Sequence, residues 1–424
     1  MPKNRIYLCL AHMSPDGAEQ RYVKEAFETN WVVPLGPNVD AFEEDLKQYV
    51  APDKEVVALA SGTSAVHLAL IACGVQPADE VIVQSFTFCA SANPVAYLGA
   101  NPVFVDSERD TWNMNPDLLS NVIEDRISRT GRKPKAIIPV TLYGMPYHID
   151  RILEIADRYD VPVIEDTAEG FGSTFNGRCL GSFGSYGVFS FNGNKMITTS
   201  GGGALVVPDG ETKKRILWLA TQARESFPYY QHEALGYNYR LSNVCAGIGR
   251  GQMSVLADHL AHHRHVADLY RQAFADVEGI SFHDSSLPGS NFWLSTIILD
   301  PALKIKGQEL AYGGITGATC GQGPLHSLSE PNANVEALRQ YLDLAMVESR
   351  PLWKPMHLQP VFANGGVATR FADGVSLVEG PRMSAYVDGT SENIFRQGLC
   401  LPSGPCVSDS DVAYIVDSIK QAII

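Results

Sequence analysis

The chain has 424 residues, 45% of them hydrophobic and 19% charged, which suits a soluble globular protein too long for a single hydrophobic core. Its formal net charge of −14 argues against nucleic acid or an anionic membrane as partner, although a locally positive pocket stays compatible with it. No apolar run approaches the roughly 18 residues of a membrane helix, the start is too polar for a secretory signal, and the eight cysteines show no metal-type pairing, so a reduced, cytoplasmic setting is expected.

From about residue 56 to 207, short apolar runs alternate with helical patterns: 56–60, 81–83, 103–105, 136–140, 161–164, 187–191 and 204–207. Uniformly apolar rather than alternating, they predict strands covered on both faces, hence a mostly parallel sheet with crossover helices such as 150–159. Ser61-Gly62-Thr63 follows the first run and opens an almost wholly apolar helix, 64–73, closed by Gly74. Such a helix is buried; its N-terminus, where Gly62 permits close approach, is either merely capped or holds an anion such as a cofactor phosphate. Phe88 follows the next run and reaches the same sheet edge, as core filler or as a flat surface for an aromatic ring.

Asp166 ends the run that starts at Val161, and Glu169 lies one helical turn further on, placed to orient a ring hydroxyl, to contact substrate or simply to face solvent. Lys195 sits in the polar turn Ser190-Phe191-Asn192-Gly193-Asn194-Lys195, between two apolar runs and ahead of Gly201-Gly202-Gly203. Flanking strands would hold its amine at the floor of a cleft, where burial disfavours an ammonium and a neutral amine attacks a carbonyl carbon. A lysine with a strand-end aspartate is what pyridoxal 5′-phosphate needs: a Schiff base and a partner for the protonated pyridine nitrogen. With that pair present, Thr63 and Ser190 read as phosphate ligands.

After about residue 255 a long polar helix, 255–277, leads to a segment with fewer clear strands, so the chain is expected to divide into 1–255 and a smaller α+β domain, 256–424. His259, His262, His263 and His265 read as the solvated face of that helix rather than a metal site. Regions 311–330 and 363–390 read as loop-rich, and Gly313-Gly314 through Gly323 lacks the Lys-Ser/Thr of a phosphate loop. Arg350, Lys354 and His357 flank Trp353, a set that fits a nucleotide diphosphate with its sugar or base, or else a solvated proline-rich loop.

The motifs Ser61-Gly62-Thr63-Ser64-Ala65, Glu165-Asp166-Thr167-Ala168-Glu169, Ser190 to Lys195, and Gly236-Tyr237-Asn238-Tyr239-Arg240-Leu241-Ser242 together resemble those of the DegT/StrS family of sugar-nucleotide aminotransferases, which are fold-type-I pyridoxal-phosphate enzymes. The resemblance covers essentially the whole chain. It implies an α/β fold with a mostly parallel seven-stranded sheet flanked by helices, plus the smaller C-terminal α+β domain. It implies that Lys195 forms the Schiff base and carries the proton between Cα and C4′, that Asp166 holds the pyridine nitrogen, that Phe88 stacks on the ring, and that Gly62, Thr63 and Ser190 bind phosphate beside Glu169. Asn238 matches a position reaching the neighbouring subunit's cofactor, which implies a homodimer with shared active sites. The segments 30–39, containing Trp31, and 348–362, containing Arg350, Trp353, Lys354 and His357, look like the substrate contacts of members acting on UDP-linked 4-keto-6-deoxy sugars. The expected reaction moves an amino group from L-glutamate to such a sugar. Amination of a 3-keto sugar or another ketone, and a non-catalytic pyridoxal-phosphate-binding regulatory protein, are the alternatives.

Overall fold

The seven apolar runs become the seven strands of one sheet. The computed structural model describes residues 4–312, 330–363, 367–370 and 374–424. Its strands are β1 (Glu55–Leu59), β2 (Glu80–Gln84), β3 (Asn101–Val105), β4 (Ile137–Ile138), β5 (Ile164–Asp166), β6 (Tyr186–Ser190) and β7 (Gly203–Val207). The order is β1-β7-β6-β5 and then β4-β2-β3, joined by the parallel bridges Ile137 to Val163 and Val140 to Asp166. Only β7 is antiparallel to its neighbours, because it returns directly from β6 through the turn that carries Lys195. The other strands run parallel, as their uniformly apolar sequences predict.

Helices α1 (Ala18–Glu28), α2 (Pro37–Val50), α3 (Gly62–Ala72), α4 (Pro116–Thr130), α5 (Ile149–Tyr159), α6 (Gly210–Ala220) and α7 (Asn243–Met253) belong to the same half of the chain. Alternate strand residues point to opposite layers: Val57, Leu59, Val188 and Leu205 pack with α3 and α6, whereas Val56, Ala58, Phe189 and Val206 pack with α2. Helix α3 is buried nearly all round, which its apolar sequence requires; each fully buried leucine such as Leu68 stabilises the fold by about 1.5–3 kcal/mol. All parallel strands present their carboxyl ends at one edge, where ligands of open α/β sheets bind.

Helix α8 (Leu256–Phe274) leads to the second layer. There β8 (Ile280–Phe282), β9 (Ser295–Leu299) and β10 (Arg350–Pro351) form an antiparallel sheet with a later strand, Gly398–Leu401. The start of the chain joins it, through a parallel bridge between Ile6 and Val347.

Two expectations are corrected here. The stretch 363–390 is not simply loop: β11 (Val367–Arg370), β12 (Ser376–Gly380) and β13 (Met383–Val387) form a meander, and β13 pairs in parallel with β3, extending the large sheet. Ser376 and Glu379 in β12 and Ser384 in β13 interrupt the apolar residues, so these strands lack the uniformly apolar runs of the central ones. The strand Gly398–Leu401, β14, follows α9 (Ala333–Leu344) and α10 (Thr390–Gln397), and α11 (Asp409–Ala422) closes the chain. The histidines of α8 are not all solvated. His259 and His263 are buried and donate through Nδ1 to the carbonyls of Met196 (3.2 Å) and Phe292 (3.1 Å), while Nε2 of His263 stays buried without a hydrogen-bond partner. His265 stays exposed beside Asp409. The glycine-rich stretch Gly313 to Gly323 lies outside the described residues.

Candidate functional site

A cavity of about 340 Å³ opens at the carboxyl edge of the sheet, with walls from both layers. Asp166, the last residue of β5, projects into it while fully buried. Burial pushes its carboxyl group up; a hydrogen bond from Ser91 Oγ (2.6 Å), the Ala168 N–H (3.2 Å) and the nearby Lys195 amine oppose that and favour the anion. Ser91 itself is 2.8 Å from the Thr87 hydroxyl, so the strand-end segment carrying Phe88 also carries the support for Asp166.

Lys195 leaves β6 through a tight turn, its N–H donating to the Asn192 carbonyl. Its side chain is 13% exposed, and the amine lies 3.7 Å from Glu169 Oε1 and 4.0 Å from the centre of the Trp293 ring. Glu169 is buried, which rules out its solvated reading. Burial raises its carboxyl group, and the Lys195 amine, the Tyr143 N–H (2.8 Å) and the Trp353 indole N–H (3.1 Å) pull it back. One carboxylate therefore faces the lysine and ties down an aromatic wall.

That wall is Trp353, whose backbone N–H donates to the buried Tyr143 hydroxyl (2.7 Å) and whose ring lies 5.6 Å from Phe88. Phe88 is 50% exposed and lines the cavity, so it is not core filler. At the far end the N-terminus of α3 meets β6. Ser61 Oγ caps the helix by accepting from the Ser64 N–H, while Gly62, Thr63 and Ser190 line the cavity. A Cβ on Gly62 would come within 3.1 Å of Ser190 Cβ, so glycine permits the helix end and the strand end to form one cradle.

Of the remaining expected residues, only Trp353 lines the cavity. His357 is buried and does not line the cavity; its Nδ1 lies 2.6 Å from Ser85 Oγ, and burial lowers the imidazole to about 4. Arg350 is exposed on β10 and pairs with Glu348 at 2.9 Å. Lys354 is half-buried, its carbonyl accepting from Gln359 Nε2. Trp31 is exposed beyond α1, its carbonyl accepting from Asn243 Nδ2 (3.0 Å). Asn238 is exposed and accepts from Gln222 Nε2 (3.2 Å), away from this chain's own cavity. Ser91, Tyr143 and Trp293 were missed. Ser91 lies three residues past Phe88 and was within reach of the motif; Tyr143 and Trp293 arrive through tertiary crossings that leave no local mark.

A pyridoxal phosphate needs an amine, a carboxylate, a flat apolar contact and an anion cradle. Lys195, Asp166, Phe88 and the Gly62–Ser190 junction present these in one cavity, so the residues fit the group. The chain matches the DegT/DnrJ/EryC1/StrS aminotransferase family over residues 14–312. It is 41% identical over 414 residues to the Bacillus subtilis (strain 168) protein EpsN, named as a pyridoxal phosphate-dependent aminotransferase, covering 97% of this chain and 94% of that one. It is 31% identical over 416 residues to a GDP-perosamine synthase of Escherichia coli O157:H7, covering 98% of each. Among solved structures, a DegT DnrJ EryC1 StrS aminotransferase from Brucella abortus superposes with a TM-score of 0.79 at 26% identity, covering 96% of this chain and 95% of that one. The chain belongs to the DegT/DnrJ/EryC1/StrS aminotransferase family, has its fold-type-I architecture, and is a pyridoxal-phosphate-dependent aminotransferase.

Proposed function

We propose that the protein moves an amino group from L-glutamate to a UDP-linked 4-keto-6-deoxyhexose, in the cytoplasm, as a homodimer with shared active sites. The observation that carries this reading is the meeting of the Lys195 amine, the Glu169 and Asp166 carboxylates and the Phe88–Trp353 wall in one cavity. Bound pyridoxal phosphate supplies the electron sink and carries the amino group between the two substrates. Lys195 would hold the cofactor's carbonyl carbon, and its Nζ is the base that would move the proton. Asp166, whose anion Ser91 and the Ala168 N–H favour against burial, would hold the proton of the ring nitrogen. Phe88 covers the ring, Glu169 orients its edge, and Thr63 and Ser190 with the N-terminus of α3 take the phosphate, joined by the partner's Asn238.

Trp353 offers an apolar surface to the sugar, with Trp31, Arg350 and Lys354 as outer contacts of the nucleotide; His357 has no part in substrate binding. A similar chain named for a GDP-sugar makes the nucleotide the element to decide. The test starts from protein bleached by L-glutamate and adds UDP-, GDP- and dTDP-linked ketosugars with the keto group at C4 or C3. Return of the visible band with the UDP-4-keto-6-deoxyhexose alone is expected; return only with a GDP-linked or a 3-keto sugar overturns the substrate reading.

A further inference from the structure

Trp293 comes from the second layer, just before β9, yet touches the lysine turn twice. Its indole N–H donates to the Asn194 carbonyl at 2.7 Å, the peptide immediately before Lys195, and its ring face lies under the Lys195 amine at 4.0 Å. The residue is 1% exposed and held from behind. Its backbone N–H donates to Asn291 Oδ1 (2.8 Å), Asn291 Nδ2 donates to the carbonyls of Glu169 (2.9 Å) and Phe171 (3.0 Å), and His263 donates to the Phe292 carbonyl. An indole is the best of the aromatic faces for a cation, and the interaction strengthens when both partners are desolvated. The amine also meets Glu169 Oε1 at 3.7 Å.

We propose that Trp293 is a positioning residue for Lys195: its ring face holds the lysine arm in the cavity whenever the amine is not bonded to the cofactor. The lysine is released once per half-reaction and must return to the same carbon, so an arm kept over a fixed ring loses little conformational freedom between encounters. The inference rests on the assignment of Lys195 as the cofactor-bearing lysine.

The experiment uses the cofactor-free full-length protein and two probes. Pyridoxal phosphate can be attacked by the lysine, whereas pyridoxamine phosphate has no carbonyl carbon and reports the cradle alone. Trp293→Leu should slow growth of the visible band roughly tenfold, while Trp293→Phe, which keeps a ring, stays within about threefold and pyridoxamine phosphate affinity stays within about twofold in both. A parallel loss of pyridoxamine phosphate affinity would mean a merely structural tryptophan and overturns the proposal. So does an unchanged Trp293→Leu, or a Trp293→Phe as slow as Trp293→Leu. Lys195→Ala separates the two levels: a band that survives in it refutes the lysine assignment itself, whereas its loss together with wild-type behaviour of Trp293→Leu refutes only the positioning role.

Discussion

The floor and the roof of the cavity are held by different means. The floor is a set of strand ends, Ser61 after β1, Phe88 after β2, Asp166 on β5 and Ser190 on β6, placed by sheet register and by side chains packed into two buried layers. The roof is Trp353 and Trp293, carried on segments outside the central strands, packed against the core and anchored by hydrogen bonds to Glu169, Tyr143, Asn194 and Asn291. Sheet geometry tolerates little movement, whereas a tethered loop shifts when one bond is lost. The contrast suits an enzyme that keeps one cofactor fixed and admits two dissimilar substrates.

The floor should therefore respond to mutation in chemistry and hardly in stability. Asp166→Asn removes the anion facing the ring nitrogen while keeping an oxygen for Ser91 Oγ. Its expected effect is the largest here, a loss of about 10²–10³-fold in kcat/KM with the L-glutamate half-reaction affected and the melting temperature near wild type. Single-turnover bleaching of the visible band by L-glutamate measures it; a loss under tenfold would show that the floor does not act through that carboxylate.

The same division decides what could be read from residues alone. Strand-end positions carry local marks: an apolar run names the strand, and the residue after it lands at the carboxyl edge. Lys195, Asp166, Phe88 and the Ser61–Thr63 turn were accessible for that reason. Glu169 was only half accessible, because its burial depends on Tyr143 and Trp353 arriving from elsewhere. The histidines of α8 show the converse. A polar-looking helix face is buried when carbonyls of two distant turns, at Met196 and Phe292, satisfy the rings. The β11–β13 meander left no such mark because polar residues such as Ser376, Glu379 and Ser384 interrupt its apolar ones.

The roof's dependence on buried polar anchors gives it an acid weakness. Burial lowers His357 to about 4 and His263 to about 3, and likewise lowers to about 4 His283, which stacks on Trp112 and donates to the Asp110 carbonyl (3.0 Å). The unfolded chain binds a proton at each below about pH 6.5 while the folded chain does not. Stability is thus complete above pH 6.5 and falls as pH drops from 6.5 towards 4, by up to about 3 kcal/mol for His357. Replacing His357 with Gln should lower the melting temperature at neutral pH, through loss of the Ser85 anchor, and flatten its decline between pH 6.5 and 4.5 by at most roughly a third, because burial also lowers His263, His283, His259 and His67. Melts that decline in parallel with wild type would show that this anchor does not titrate with unfolding.

The smallest expected effect lies furthest from the floor. Arg350 is 63% exposed, pairs with Glu348 and does not line the cavity. An exposed ion pair of this kind contributes about 0–1 kcal/mol, so Arg350→Ala should change the ketosugar KM by less than about fivefold. Trp353→Ala removes the wall itself and leaves a Glu169 oxygen without its indole donor, and should weaken kcat/KM by about 10–100-fold. Steady-state kinetics of the two variants with one ketosugar sets the outer limit of the roof. A tenfold rise in KM for Arg350→Ala would mean that this outer contact carries a main share of nucleotide recognition and is no weak rim pair.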